Sequence, residues 1–308
     1  MYMLYYQLKL GVVNMDKKNG ALLSIFSNSF LIVFKLLIGL SINSISILSE
    51  AVHSGLDLVA SVIAFFSIRT ASKKEDEDHP FGHGKYENLS GFVEALLIFL
   101  AAAIIIYEAI GRLISGGEIK STTLGIVIML VSSLINLIIS LSLFRIAKKS
   151  GSIALEADAY HLLTDVFTSL GVFAGLIIVK ITHQSIVDSI AALLVAGLII
   201  RTSIGLTLKS MRDLVDYALP KEEMKIILDV ILSHEEVKSF HKLRTRKSGS
   251  RRELDLHLLL NADMTLLYAE KLCDDIENEL KAIYPDIYIT IHSEPENHVD
   301  VNNLGIHF

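Results

Sequence analysis

Between Gly20 and Leu208 the chain runs through six apolar stretches of roughly 20 residues or more, each long enough to cross a hydrocarbon core of about 30 Å as a helix. In lipid every backbone polar group must be satisfied internally, so for runs of this length the spanning α-helix is the structure that remains. Candidate spans are Gly20 to Ile42, Ile45 to Ile68, Asn88 to Ile114, Thr122 to Ile146, Ser152 to Ile181 and Ile186 to Leu208. Composition agrees. Of 308 residues 52% are hydrophobic and 20% charged, at a mean hydropathy of +0.51, which is too apolar for a soluble chain of this length. A net charge of -6 excludes a nucleic-acid binder, and 18 glycines without a period exclude a collagen-like chain. The single cysteine, Cys273, excludes a disulfide scaffold and reads as a small, half-buried residue of a soluble part. Met1 to Lys18 has no small-residue cleavage site leading into a polar domain, so no cleaved signal peptide is expected.

An even number of spans puts both termini on one side. Loops on that side carry Lys9, Lys17, Lys18, Arg69, Lys73, Lys74, Lys85, Arg145, Lys148, Lys149, Lys209 and Arg212, while the opposite loops offer Arg112, Lys120 and Lys180. The positive-inside rule then makes both termini cytoplasmic. After Pro220 the pattern becomes that of a soluble domain: a helix over Pro220 to His234, strands over Val237 to Arg246 and Arg252 to Leu260 joined at Ser248-Gly249, a helix over Thr265 to Tyr284 and a strand over Ile287 to His292. The expected fold is an all-α membrane bundle of six helices, residues 1–208, followed by a cytoplasmic α+β domain, residues 209–308. The order αββαβ fits a ferredoxin-like arrangement with an antiparallel sheet.

The chemistry is carried by charges inside the apolar tract. The second span places Glu50, His53 and Asp57 at i, i+3 and i+7 on one helix face, and the fifth repeats the offsets with Asp158, His161 and Asp165. Each HxxxD is followed four residues later by a serine, Ser61 and Ser169. An ionisable group at the centre of a spanning helix costs about 2.5–3.5 kcal/mol on insertion scales, so two such faces mark a polar cavity or a bound ion. The two spans run in opposite directions, which sets His53 near the level of Asp165 and His161 near that of Asp57. Two imidazoles and two carboxylates suit a borderline divalent cation, Zn²⁺ first, with Cd²⁺, Co²⁺ and Ni²⁺ behind it. A lone HxxxD can equally be an interhelical hydrogen bond; two copies at midplane depth favour the ion. Glu50 and Asp158 read as pathway acids, supporting partners of the histidines, or cavity polarity. Glu94, Glu108, Asn136 and Lys35 read as interhelical or interfacial contacts.

Between the second and third spans lies Glu75-Asp76-Glu77-Asp78-His79-Pro80-Phe81-Gly82-His83-Gly84-Lys85-Tyr86-Glu87. Asp76, His79 and His83 are spaced to close around one cation across the Pro and Gly turn; an acidic loop that only attracts cations is the alternative.

These motifs, with the D-Y-A-L-P juncture at Asp216 to Pro220, the H-K-L-R-T-R strand from His241 and the closing I-H-S-E-P from Ile291, resemble the cation diffusion facilitator family over nearly the whole chain. The resemblance implies a homodimer in the lipid bilayer that exports Zn²⁺, or a similar ion such as Fe²⁺ or Mn²⁺, from the cytosol in exchange for protons. It implies a transport site at His53, Asp57, His161 and Asp165, a loop site at Asp76, His79 and His83, and a cytoplasmic zinc site at His241, His257, His292 and Glu294. Glu294 stands where an aspartate is common, and Glu270 where some members carry a further histidine. The family's interlock maps onto Lys85 and Asp216, which would pin the cytoplasmic domains to the membrane part across the dimer. A prokaryotic plasma membrane fits the absence of a histidine-rich insertion between spans four and five. The alternative function is a membrane-bound zinc sensor that signals without transport. An intramembrane hydrolase would need an open coordination position, and four protein ligands leave none.

Overall fold

The computed structural model describes residues 16–41, 45–115, 123–182 and 186–296. They fall into two compact units, Met1–Met211 and Arg212–Phe308. Among the described residues the first holds six long helices: α1 Lys17–Ser41, α2 Ile45–Ala71, α3 Lys85–Ser115, α4 Thr123–Ser150, α5 Ile153–Thr182 and α6 Ile186–Leu214, whose last residues belong to the second unit. Within them Lys17–Ile38, Lys85–Gly111, Val127–Ser150 and Ala192–Leu214 are long and apolar enough to cross a membrane. Among the described residues no such stretch falls in the helices that carry the HxxxD motifs, α2 and α5.

Small residues let these helices approach closely. Ala21, Ala147, Ala154 and Ala159 pack with Ile68, Leu143 and Leu155 where α1, α2, α4 and α5 meet, and Ala95, Ala102 and Ala157 pack with Ile98, Ile153 and Ile199 where α3, α5 and α6 meet. The large apolar side chains Phe26, Leu100, Leu134, Ile138 and Leu194 face outward, inverting the arrangement of a soluble protein. Between α1, α2 and α5 runs a buried polar seam. Ser24 and Ser61 share a hydrogen bond of 2.8 Å, Asn28 Nδ2 donates to Ser61 Oγ at 2.8 Å, and Ser61 donates to Asp158 Oδ1 at 3.1 Å. Lys35 Nζ, buried in the same part of the bundle, donates to Ser54 Oγ at 2.8 Å.

The second unit contains α7 Lys221–Leu232, β1 Val237–Ser248, β2 Arg251–Leu260, α8 Leu266–Ile283 and β3 Ile287–Pro295. β1 and β2 form an antiparallel hairpin through a two-residue turn, with Gly249 at φ 63° where a Cβ would be strained. The expected all-antiparallel sheet is corrected here: β3 pairs parallel to β2, giving a mixed sheet in the order β1-β2-β3. The physical reason is α8. A helix between two strands carries the chain back to the starting edge, so the next strand enters in the same direction. α8 starts at Thr265, whose hydroxyl accepts from the Tyr268 N–H, and buries Ala269, Leu272, Ile276 and Leu280 on one face. Those residues close a core with Leu254, Leu256, Leu258 and Leu260 of β2 and Ile227 and Ile231 of α7.

Candidate metal centres

Three groups of metal-type donors assemble among the described residues, each with its candidate ligand atoms within 4.8 Å of one another. The first lies inside the helical unit. Asp57 of α2 faces His161 of α5, with Oδ1 3.1 Å from Nε2, and Asp165 one turn further along α5 completes the group. Asp57 and His161 are 4% and 8% exposed, so neither is solvated from the surface. His161 Nδ1 is buried without a hydrogen-bond partner. Asn136 of α4 points its amide at Asp165 Oδ2 from 3.5 Å. The side chains of His53 and Glu50 lie outside the described residues. One imidazole and two carboxylates held this way offer a compact anionic cage to a divalent cation of Zn²⁺ type.

The second group sits in the loop between α2 and α3. Asp76 Oδ1 accepts from the His79 N–H at 2.7 Å and lies 3.1 Å from His79 Nδ1, while its Oδ2 lies 3.2 Å from His83 Nε2. Partial desolvation pulls the Asp76 carboxyl up, but the backbone and ring hydrogen bonds of His79 and the nearby His83 outweigh it and hold the group below its ordinary value. Gly82, at φ 78°, makes the reversal that brings the two histidine rings together, with centroids 4.2 Å apart and planes tilted by 35°. His83 is buried and its Nδ1 has no partner.

The third group is made by sheet register. His241 of β1 pairs with His257 of β2, and His257 pairs with His292 of β3, so three histidines form one row across the strands. Glu294, two residues beyond His292 and therefore on the same face, bridges them: Oε2 lies 2.9 Å from His241 Nε2 and Oε1 lies 2.6 Å from His257 Nδ1. The His257 hydrogen bond, followed by that of His241, holds the Glu294 carboxyl below its ordinary range against the desolvation that raises it. His292 stands at the open end of the row, its Nε2 3.5 Å from Glu294 Oε1. His241 Nδ1 is buried without a partner. Two nitrogens and a carboxylate in contact, with a third imidazole beside them, fit Zn²⁺ in donor type and number. Glu270 is exposed on α8 and belongs to none of the three groups. Of the interlock pair, Asp216 accepts from Arg246 Nη1 at 3.3 Å within its own unit.

Asn136 reads in the sequence as an interhelical or interfacial contact, and its alignment on Asp165 is a feature that local spacing does not carry. The same holds for Ser24 and Asn28, whose meeting with Ser61 depends on how α1 lies against α2. A polar residue recurring inside apolar helices was the available signal.

Comparison with known proteins agrees over nearly the whole chain. Residues 21–215 match the Cation efflux transmembrane domain, and residues 219–296 match the cytoplasmic domain of cation efflux proteins, a dimer-forming module. An uncharacterized transporter of Synechocystis is 33% identical over 253 residues, 82% of each chain. The cation-efflux pump FieF of Serratia proteamaculans is 29% identical over 278 residues, 90% of this chain and 92% of that one. A solved structure of the candidate zinc transporter CzrB is 34% identical, with a TM-score of 0.25, covering 26% of this chain and 99% of that one. Two family matches joined end to end, over an apolar helical unit and a small mixed-sheet unit, make this chain an integral membrane protein of the cation diffusion facilitator family, whose members are cation efflux transporters.

Proposed function

We propose that the protein is a homodimeric metal/proton antiporter that carries Zn²⁺ from the cytosol across a prokaryotic plasma membrane, with all six helices spanning and both termini cytoplasmic. The observation that carries this reading is the group of Asp57, His161 and Asp165 at the contact of two helices in an apolar bundle, the first two buried and the third half-buried. Buried carboxylates of this kind are expensive in lipid unless an ion or proton neutralises them, and a cargo site must be neutralised in alternation. His53 completes the set as a second imidazole. A zinc ligand must be a neutral imidazole, so protons and Zn²⁺ compete for the same nitrogens, which is the basis for exchange. Cd²⁺, Co²⁺, Ni²⁺, Fe²⁺ and Mn²⁺ are the competing cargoes by donor type.

In this reading the cation reaches the membrane past Asp76, His79 and His83, whose acidic surroundings concentrate cations. It binds between α2 and α5, and a rocking of the helices exposes the cage to the other side. A zinc ion held by His241, His257, His292 and Glu294 would cross-link the three strands of the ferredoxin-like tail. Lys85 and Asp216 form the interlock between membrane and cytoplasmic parts across the dimer.

The test is Zn²⁺ flux into proteoliposomes that contain a zinc-sensitive dye, under an imposed pH gradient. Wild type is expected to show flux that follows the gradient, and His53→Ala and Asp57→Ala to lose it by about 100-fold or more while retaining the helical content of the fold. Wild type that binds zinc and moves none under any gradient would make the protein a sensor.

A further inference from the structure

Glu94 of α3 belongs to none of the three metal centres, yet it lies inside Lys85–Gly111, a stretch long and apolar enough to cross a membrane. At the rise of an α-helix it sits about 14 Å along α3 from Lys85. Its side chain is fully buried. Ser90, one turn earlier, donates its hydroxyl to Oε1 at 3.3 Å, and Oε2 is buried with no hydrogen-bond partner. A carboxyl so placed does not serve as the plain interhelical contact that the sequence suggests.

Its surroundings offer no cation. Where α6 packs on this part of α3 it presents Ile199 and Leu206, and Ser203 Oγ is committed to the Ala95 carbonyl. From α2, α5 and α6, the one charged group among the described residues that acts on Glu94 is the carboxyl of Asp158 on α5. Asp158 is fully buried as well; Ser61 donates to its Oδ1, and its Oδ2 has no partner. Two ionised carboxylates here would bear both full desolvation and mutual repulsion, against two hydroxyl hydrogen bonds. A proton removes the repulsion and gives one of the orphaned oxygens its hydrogen. A metal ion is a poorer occupant, because no third donor gathers around Glu94 among the described residues.

Asp158 ties this pair to the cage. It precedes His161 by one turn of α5 and acts electrostatically on His161 and Asp57 as well as on Glu94. A divalent cation arriving between Asp57 and His161 therefore opposes a proton held on the far side of Asp158. Two positively charged ligands bound at different places are coupled in this way, each weakening the other.

We propose that Glu94, in concert with Asp158, is a proton site separate from the metal cage, which holds a proton before the cage takes up metal and gives it up as Zn²⁺ binds. The inference rests on the antiport reading, to which it adds a carrier for an exchanged proton.

The experiment counts the protons released when Zn²⁺ is added to full-length protein in weakly buffered detergent solution near pH 7, with bound zinc measured in parallel. Wild type is compared with Glu94→Gln, whose amide copies the shape of the neutral acid and keeps an acceptor for Ser90. Both are expected to bind the same amount of zinc, with Glu94→Gln releasing about one proton fewer per chain. Protons displaced by zinc from the tail histidines are common to both and cancel. In the infrared spectrum, wild type without zinc should show the carbonyl stretch of a protonated carboxyl, which weakens as zinc saturates and which Glu94→Gln lacks. Should Glu94→Gln fail to fold, that band in wild type decides. The proposal is overturned if the two proteins release equal numbers of protons, or if wild type has no such band for zinc to remove. It is also overturned if Glu94→Gln binds less zinc, which would make Glu94 part of the cage. Zinc flux into wild-type proteoliposomes separates the two readings: flux indifferent to the pH gradient, with the proton deficit of Glu94→Gln intact, overturns antiport and leaves the proton site standing.

Discussion

Ser61 shows how much a single small side chain can hold in an apolar bundle. It is fully buried, and it touches Ser24 and Asn28 of α1 and Asp158 of α5. Replacing it with Ala leaves Asn28 and Asp158 short of a partner in a place water cannot reach, at a cost of about 1–3 kcal/mol. Ser61→Ala should therefore melt several degrees below wild type in detergent, and an unchanged melting temperature would remove the seam from any structural role. Cys273 tests the tail at the same scale. Burial, followed by the nearby Glu270, Asp274 and Glu277, pushes its thiol up to about 11 from an ordinary value of 9. The thiol ionises sooner in the unfolded chain, so its contribution to stability is intact below about pH 9 and is lost as pH rises from 9 to 11. Iodoacetamide should accordingly label native protein slowly at pH 8 and at least tenfold faster near pH 10, whereas urea-unfolded protein reacts quickly already at pH 8. Equal rates for native and unfolded protein at pH 8 would contradict the buried environment. Much at this scale was legible in the sequence, because Asp57, His161 and Asp165 are anomalies in apolar helices. The company they keep was not: Asn136 reaches Asp165 only through the lateral position of α4, which no local spacing encodes.

Elements show the same division between what is local and what is not. The helix bounds follow from apolar runs and turn residues and fall within a few residues of expectation, since backbone satisfaction and burial are local properties. The parallel return of β3 is not local. An alternating strand pattern carries no direction, and only the crossover through α8 fixes it. Register matters more than direction for the tail centre, because pairing His241 with His257 and His257 with His292 is what turns three separated histidines into one row. A one-residue slip would send His257 into the face now occupied by Leu256 and Leu258. Among the helices, Gly91 of α3 marks a close approach to two neighbours: a Cβ there would come within 3.0 Å of Ser210 Oγ on α6, 3.2 Å of the Ile153 side chain and 3.4 Å of the Ile153 carbonyl on α5. Backbone cannot yield as a side chain can, so Gly91→Leu is expected to cost about 1–3 kcal/mol through overpacking. Gly111, where a Cβ meets nothing within 4 Å, supplies the control. Gly111→Leu should leave the melting temperature near wild type, and equal losses in both variants would mean that helix propensity, not packing, sets the effect.

At the scale of the whole molecule the decisive fact is that the two units have separate cores. The tail closes around Leu254, Leu258, Ile227, Ile276 and Leu280, and the helical unit around its own small-residue contacts. Units with independent cores do not unfold as one two-state system. Calorimetry in detergent should then resolve two transitions, and a ligand that binds one folded unit should move that unit's transition alone. Zinc at 100 times its dissociation constant adds about 2.7 kcal/mol to the unit that holds it, which for a domain of the tail's size raises the midpoint by about 10 °C. Since the row of histidines and Glu294 lies wholly within the tail, His241→Ala should erase the zinc shift of the tail transition and leave the helical unit untouched. Asp57→Ala should do the reverse, keeping the tail's zinc shift while removing any zinc response of the helical unit. A single transition that moves as a whole, or a tail shift that survives His241→Ala, would mean that the two metal centres are energetically one, and regulation of transport by tail zinc would then act through stability shared across the molecule.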